Sequence, residues 1–336
     1  KRFAVPCRPS KLSISTRMVF SPYLYYVKGL VIKSTGSQYL VQEEDGNIRL
    51  CRIRGNLRLK GFEATNPLTV GDIVEVEHSP GDDVGSITAI HERKNYIIRK
   101  SVKLSRQVQI LAANIDRAFV VATPVFPRTS LGFIDRFLAT SEAYSIPGGI
   151  IWNKSDLYDQ PIKEWVDEVT ALYEEIGYKV YTVSTFTGEG MEELKNALKD
   201  KVSLLSGHSG VGKSSLINLL VPGLGLKTSE LSSQHMKGTH TTTFAEMHFL
   251  NFGGSVIDIP GIREFGIMDF KPEEISHYYI EMREVLNNCK FNNCLHENEP
   301  GCAVKQAYLD GKISEERYTN YLNIMLDYKA NYKHWE

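Results

Sequence analysis

A glycine-rich segment in the second half of the chain places the strongest constraint on its fold. Residues 207–214 read GHSGVGKS and match the pattern GxxxxGK[ST], between an apolar run at 202–205 and a helical run that starts at Ser215. Glycines let backbone N–H groups turn inward around an anion, and a following helix N-terminus adds partial positive charge. The segment therefore predicts a phosphate-binding loop. We expect Lys213 to contact the β- and γ-phosphates of a nucleotide and Ser214 to ligate Mg²⁺.

The sequence around this loop alternates between strand and helix patterns. Continuous apolar runs of the kind found in buried parallel strands occur at 117–122, 149–152, 179–183, 202–205 and 255–258. Between them, residues 161–176 form an amphipathic pattern closed by Gly177, and 191–198 form a shorter one. This pattern predicts an α/β doubly wound sheet with its sites at the carboxyl ends of the strands.

The segment Asn153-Lys154-Ser155-Asp156, at the end of a predicted strand, indicates which base the bound nucleotide would carry. A carboxylate at Asp156 can accept hydrogen bonds from guanine N1–H and the exocyclic amine, whereas adenine offers neither donor in that geometry. A weaker signal is Ser184-Thr185, which ends the next strand. The predicted GTP-binding residues are Asn153, Lys154, Ser155, Asp156, Ser184, Thr185, Gly207, His208, Ser209, Gly210, Val211, Gly212, Lys213, Ser214 and Ser215.

Two further segments match the elements that respond to the γ-phosphate. Residues 258–261 read DIPG, and we expect Asp258 to hold the Mg²⁺ shell through water and the Gly261 N–H to sense the γ-phosphate. Residues 238–243 read GTHTTT, and either Thr241 or Thr242 would contact Mg²⁺ and the γ-phosphate. With Lys213 and the switch histidine described below, these are the predicted catalytic residues.

These motifs stand in an unusual order along the chain. An ordinary GTPase runs from the phosphate loop through the switch threonine and DxxG to NKxD, but here residues 153–156 come first. A circular permutation gives the same spatial site, because the termini of a domain often lie close together. It also places the chain's exit at DxxG, so that whatever follows Gly261 is attached to the switch.

A cysteine cluster follows the switch. Cys289, Cys294, His296 and Cys302 lie within fourteen positions and offer three thiolates and one imidazole, which suits a closed tetrahedral Zn²⁺ site with a structural role. After it, residues 315–335 predict a helix with a stripe of tyrosines, either for core packing or for docking RNA or a partner.

The N-terminal part of the chain has a β pattern. Five short runs at 29–33, 38–42, 48–53, 72–77 and 86–91 are separated by turn signals and suit a small closed barrel such as an OB-fold. Residues 1–28 are a basic leader, interpreted as a flexible arm, a transit peptide or sequence upstream of a start at Met18. Residues 93–113 carry no acid and predict a solvated basic linker or a phosphate-contacting strip.

Composition excludes several classes of protein. Thirty-nine Lys and Arg against 40 Asp and Glu give a net charge of −1, so a globally basic nucleic-acid coat protein is excluded. No apolar run is long enough for a membrane span, and five cysteines argue against a secreted disulfide framework. We expect a cytoplasmic protein, monomeric and without a membrane partner.

Taken together, these motifs closely resemble the RsgA (YjeQ) family of ribosome small subunit biogenesis GTPases, over nearly the whole chain from Gly29 onward. The resemblance implies an OB-fold at 29–92, a circularly permuted GTPase domain at 114–270 and a zinc-binding domain at 271–336, joined by the segment at 93–113. It also implies GTP and GDP as ligands, docking on the small (30S) ribosomal subunit and its rRNA in late maturation, and GTP hydrolysis stimulated by the subunit. The first 28 residues lie outside the family pattern.

The expected hydrolysis residue differs from that of many GTPases. The position after DxxG, where a glutamine often orients the attacking water, is Ile262, so we expect slow intrinsic turnover. His240 matches the family's switch histidine and is the best substitute, although a surface loop histidine is the plainer interpretation; Arg263 is a weaker candidate. The alternative function is a GTP-gated RNA-binding adaptor in which hydrolysis is incidental. A membrane-trafficking GTPase is disfavoured, because no lipidation motif is present.

Overall fold

A β-barrel, an α/β domain and a helical domain follow one another along the chain. The computed structural model describes residues 25–55, 67–100, 108–226, 245–259 and 271–332. None of the helices in this part of the chain combines the length and the apolar content that a membrane crossing requires.

The barrel has five strands: β1 (Tyr25–Ser34), β2 (Tyr39–Glu43), β3 (Ile48–Ile53), β4 (Ile73–His78) and β5 (Val84–Ile90). They pair in the order β1-β2-β3-β5-β4, and β4 returns to pair with β1 and closes the barrel. The strands are antiparallel except for β3 and β5. Alternate residues such as Val31, Val41 and Val76 fill the interior. The five-stranded barrel is as predicted, with β1 beginning at Tyr25 rather than Gly29.

The segment after the barrel differs from the solvated linker that the sequence predicted. It forms an antiparallel hairpin of β6 (Tyr96–Lys100) and β7 (Val108–Ala113). Ile97 and Ile110 are buried on it. Basic residues dominate the composition of this segment, but Ile97 and the consecutive residues 110–113 are apolar and supply the buried side chains of the hairpin.

The α/β domain has a six-stranded sheet built from β8 (Arg117–Ala122), β9 (Gly148–Trp152), β10 (Lys179–Thr182), β11 (Val202–Ser206), β12 (Glu246–Phe249) and β13 (Ser255–Asp258). The order is β10-β9-β8-β11-β13-β12, and only β12 runs antiparallel to its neighbour. The helices are α1 (Leu131–Ala143), α2 (Gln160–Ile176), α3 (Met191–Leu198) and α4 (Lys213–Leu220). Helices α1 and α2 cover one face of the sheet, and α3 and α4 cover the other. The predicted doubly wound class is confirmed.

Edge strand β12 also pairs with β1 of the barrel. Lys33 of β1 lies opposite Glu246 of β12, and the two side chains form an ion pair with an Nζ–Oε2 distance of 2.9 Å. The barrel and the α/β sheet are therefore continuous through hydrogen bonding at this edge.

The C-terminal domain is helical. It contains short 3₁₀ turns at Pro272–Tyr278 and Leu286–Asn288 and the helices α5 (Ile280–Arg283), α6 (Ala303–Leu309) and α7 (Glu315–Tyr332). Tyr318, Tyr321 and Met325 of α7 are buried in the core of this domain. The described part of the tyrosine stripe therefore serves packing, not docking.

Helix α7 also packs against α1 of the α/β domain. The guanidinium of Arg317 is buried between Asp135 on α1 and Glu281 on α5. The two domains thus share a buried polar contact.

Candidate functional site

The predicted phosphate loop lies between β11 and α4. Gly212 adopts a left-handed conformation with φ of 95° directly before Lys213, the first residue of the helix. Among the described residues, no side chain caps this end of α4. Because the first N–H groups of a helix lack intrahelical acceptors, this end of α4 can receive an anion.

Lys213 and Asp258 lie close together at this edge of the sheet. The Lys213 ammonium donates to the carbonyls of Gly207 and His208, the latter at 2.9 Å. Burial raises the pKa of Asp258, and the positive charge of Lys213 acts in the opposite direction. The site thus holds a lysine cation and a half-buried carboxylate near the ends of the neighbouring parallel strands β11 and β13. These are the charges that a nucleotide phosphate with a divalent cation requires.

Asn153 fastens the loop after β9 to the phosphate loop. Its side chain is fully buried, and its Nδ2 donates to the carbonyl of Val211 at 2.8 Å. A Cβ atom at Gly212 would lie 2.3 Å from that Nδ2, so only glycine fits at this position. The amide therefore fixes the distance between the two loops.

Lys154 makes a second link, across three loops. Its Nζ donates to the carbonyl of Phe126 at 2.9 Å and to that of Gly210 at 2.8 Å. Lys154 itself has a left-handed φ of 68°, which turns its side chain across the edge of the sheet. Burial lowers the pKa of Lys154, and Asp156 opposes this shift. The loops after β8, β9 and β11 are thereby held in one arrangement.

Asp156 is the carboxylate predicted to recognise the base, and it is exposed next to Ser184. The Ser184 hydroxyl donates to Asp156 Oδ1 and accepts the N–H groups of Phe186 and Thr187 at 3.2 and 3.0 Å. Ser184 is fully buried, while Thr185 beside it is half-buried. One carboxylate oxygen is thus fixed by the loop after β10, and the orientation of the group is set before a ligand arrives.

Three contributions to this arrangement were not predicted from the sequence. Glu189 accepts the Ser155 hydroxyl at 2.9 Å, and the backbone carbonyl of Phe126 accepts Lys154. The ring of Phe133, on α1, lies over the His208 ring with centroids 3.9 Å apart. Glu189, Phe126 and Phe133 do not belong to a recognisable motif. The structure brings residues 153–156, 184–185, 207–215 and Asp258 to one edge of the sheet.

The remaining predicted site residues lie outside the described residues. They are His240, Thr241, Thr242 and Gly261, together with Ile262 and Arg263. Their roles stay predictions.

The cysteine cluster of the C-terminal domain has the geometry of a metal site. The ligand atoms of Cys289, Cys294, His296 and Cys302 all lie within 4.8 Å of one another. Three sulfurs and an imidazole nitrogen at such separations fit a tetrahedral zinc ion. Burial lowers the pKa of His296 to about 4, so that the imidazole is neutral at pH 7, as a ligand must be.

Hydrogen bonds within the domain hold the backbone around the cluster. The N–H groups of Ala303 and Lys305 donate to the sulfurs of Cys289 and Cys302 at 3.3 and 3.2 Å. The hydroxyl of Tyr318 donates to the His296 carbonyl at 2.6 Å. Helix α7 therefore fixes the loop that carries the histidine. The cluster can hold a metal ion, and its donor set suits zinc.

Comparison with known proteins agrees with this organisation. Residues 90–268 match the model of the RsgA GTPase and residues 28–87 that of the RsgA N-terminal domain. The small ribosomal subunit biogenesis GTPase RsgA of Bacteroides fragilis is 50% identical over 311 residues, which cover 91% of this chain and 100% of that protein. The protein of the same name from Flavobacterium psychrophilum is 50% identical over 299 residues, 88% of this chain and 92% of that protein.

Two solved structures resemble the whole fold. YjeQ from Thermotoga maritima superposes with a TM-score of 0.74 and 35% identity, covering 90% of this chain and 98% of that one. YloQ, described as a circularly permuted GTPase, gives a TM-score of 0.72 and 30% identity over 91% of this chain and 96% of that one. The chain belongs to the RsgA GTPase family.

Proposed function

We propose that this protein hydrolyses GTP to GDP and phosphate, binds the small ribosomal subunit, and acts in the late maturation of that subunit. The observation that carries the proposal is the link made by Asn153 and Lys154, which hold the predicted base-recognition loop against the phosphate loop. The relatives named small ribosomal subunit biogenesis GTPase supply the identity of the partner.

The predicted nucleotide residues have distinct roles in this proposal. Asp156 accepts the two guanine donors, with one oxygen oriented by Ser184. Lys213 leaves the loop carbonyls and contacts the β- and γ-phosphates, while the loop N–H groups surround them. The other members of the set, residues 153–155, 184–185, 207–212 and 214–215, shape the pocket around the base and phosphates.

A magnesium ion bound with GTP would be held by Ser214, by Thr241 and, through water, by Asp258. When bound, the ion would neutralise the negative charge that develops on the phosphate oxygens. Asp258 is half-buried and lies near Lys213, so its carboxylate is only partly accessible to solvent. Thr242 and the Gly261 N–H would complete the contacts to the γ-phosphate.

For hydrolysis, we assign the orientation of the attacking water to His240. The glutamine position after DxxG is Ile262, an apolar side chain that cannot accept or donate a proton. The protein alone would then be a slow enzyme, and contact with rRNA would order the switch around His240. The GTP-gated adaptor is less favoured, because Lys213 and Asp258 of a hydrolytic site are both present.

The remaining assignments concern the whole chain. We propose one structural zinc ion at Cys289, Cys294, His296 and Cys302, and a monomeric, cytoplasmic protein with no membrane partner. Its domains would be a basic leader at 1–28, the barrel at 29–92, the joining segment at 93–113, the GTPase domain at 114–270 and the zinc domain at 271–336.

The test is GTP turnover by the protein alone, with small subunits and with large subunits, with ATP as the control nucleotide. We expect slow turnover alone, strong stimulation by small subunits only, and no ATP hydrolysis. An Asp156→Asn protein should lose guanine selectivity while Lys213→Ala loses turnover with any nucleotide. Tight GDP binding without stimulation by either subunit would favour the adaptor.

A further inference from the structure

The barrel touches the GTPase sheet at a point close to the proposed magnesium ligand. Lys33, on β1, pairs with Glu246, the first residue of β12, both through the strands and through an ion pair of 2.9 Å. Across the next strand pairing, Glu246 lies directly opposite Asp258, the last residue of β13. Directly opposite residues of an antiparallel pair project from the same face of a sheet, with Cβ atoms about 5 Å apart.

These side chains form a row of charges across three strands and the phosphate loop, in which two neighbouring carboxylates lie between two lysines. Glu246 and Asp258 lie opposite each other on β12 and β13, and Lys213 of the phosphate loop lies near Asp258. Lys33 neutralises Glu246 from the barrel side. Glu246 therefore lies between a lysine of the barrel on one side and Asp258 of the GTPase sheet on the other.

Glu246 and Asp258 are also near, in sequence, to the two segments that the proposal assigns to the γ-phosphate. In the sequence, Glu246 follows closely on Thr241 and Thr242, and Asp258 comes three residues before Gly261. A change in the position of β12 relative to β13 would therefore move the origins of both segments together.

We propose that Lys33 and Glu246 are positioning residues that couple occupancy of the barrel to GTP hydrolysis. The barrel holds the start of β12 in place through this pair, and a small subunit bound to the barrel fixes it in the geometry that stimulates turnover. This inference rests on the proposed function, since it concerns the stimulation by the subunit.

The pair is a third exposed at each end, 34% for Lys33 and 32% for Glu246. Ion pairs this exposed add little to folding stability. Loss of the pair should therefore leave the folded protein intact and act on the stimulated rate.

The test compares Lys33→Glu, the charge swap Lys33→Glu/Glu246→Lys, and Lys28→Glu as a matched control. Lys28 lies on the same strand but opposite Glu75 of the barrel itself, so its reversal changes the barrel's charge without touching the GTPase sheet. Turnover is measured alone and at saturating small subunits, with subunit affinity and GDP affinity determined separately. We expect Lys33→Glu to lower the stimulated kcat by about fivefold, which corresponds to about 1 kcal/mol in the transition state. The turnover of Lys33→Glu without subunits and its affinity for GDP should not change.

The coupling would be supported if the charge swap restored the stimulated kcat that Lys33→Glu loses, while a further increase in subunit concentration did not restore it in Lys33→Glu. The proposal is overturned if Lys33→Glu retains the wild-type stimulated kcat, if the swap restores nothing, or if Lys28→Glu lowers kcat equally. Absence of stimulation in the wild-type protein is a different result and would refute the proposed function itself.

Discussion

Arg317 connects three helices through charges that have almost no access to water. Its side chain is 2% exposed, and it donates to Asp135 of α1 at 2.6 Å and to Glu281 of α5 at 2.7 and 3.0 Å. The guanidinium also lies over the ring of Tyr279, 4.4 Å from its centroid. Burial opposes the charge, but the two carboxylates outweigh it and hold the pKa of Arg317 well above its ordinary value.

Replacing Arg317 by methionine keeps the volume and removes the charge. Among the described residues, the fully buried Asp135 would then keep the Tyr173 hydroxyl at 2.6 Å and the Asn320 amide at 2.7 Å as its donors. A buried carboxylate that loses its cation destabilises the folded state by about 3–5 kcal/mol. In the double variant Asp135→Asn/Arg317→Met no unpaired carboxylate remains at position 135, so we expect about half of that loss to be recovered.

The control is Arg283→Met, at the exposed rim of the same contact. Arg283 pairs with Glu142 at 3.2 Å but is 51% exposed, and a pair of that kind contributes about 0–1 kcal/mol. Urea unfolding followed by tryptophan emission compares the variants, with the slope m checked for constancy. If Arg317→Met lost no more stability than Arg283→Met, the buried network would not be what joins the two domains, and the reasoning would fail.

Three further predictions concern a turn, the base site and the metal cluster. At Gly71 (φ +92°), a Cβ would lie 2.0 Å from the Ala113 carbonyl oxygen, so Gly71→Ala should lower the free energy of unfolding in urea by more than about 2 kcal/mol. The control is Gly36→Ala, which has φ +90° and open space and should lower it by only about 1 kcal/mol. Ser184→Ala removes a donor to the charged Asp156, and we expect GDP affinity measured by calorimetry to fall about tenfold, or ~1.4 kcal/mol, with hydrolysis of bound GTP unaltered. Treatment with a zinc chelator should lower the thermal midpoint of the C-terminal domain, and metal analysis should return about one zinc per chain; an unchanged midpoint after complete zinc removal would mean that the cluster does not stabilise the domain.

The five parallel strands of the α/β sheet could be predicted from the sequence because buried parallel strands are continuous apolar runs, whereas the antiparallel edge strand β12 was not predicted. Strand β8 at Arg117–Ala122 was predicted at its observed bounds. Helix α1 was not predicted, because its buried side includes polar residues such as Asp135 and Ser141, which break the apolar period. Their burial makes sense only once Arg317, far along the chain, is beside them.

The residues of the candidate site likewise fall into those that the sequence predicts and those that it does not. Residues 207–214 and 153–156 form contiguous motifs whose residue types and spacing indicate nucleotide chemistry, so the sequence alone predicts them as site residues. The supports around them do not form motifs: Phe126 acts through its carbonyl, and Phe133 acts through a ring contact to His208 that depends on the docking of α1. A backbone acceptor can belong to any residue type, and thus leaves no signal in the sequence.

The two outer domains attach to opposite sides of the nucleotide edge. The barrel pairs with β12, next to Asp258, while the C-terminal domain packs on α1, whose Phe133 lies over His208 of the phosphate loop. Because the permutation places the C-terminal domain after DxxG, that domain is also joined to the switch through the chain itself. A partner large enough to contact both outer domains would therefore contact the domain that pairs next to Asp258 and the domain that packs behind the phosphate loop together.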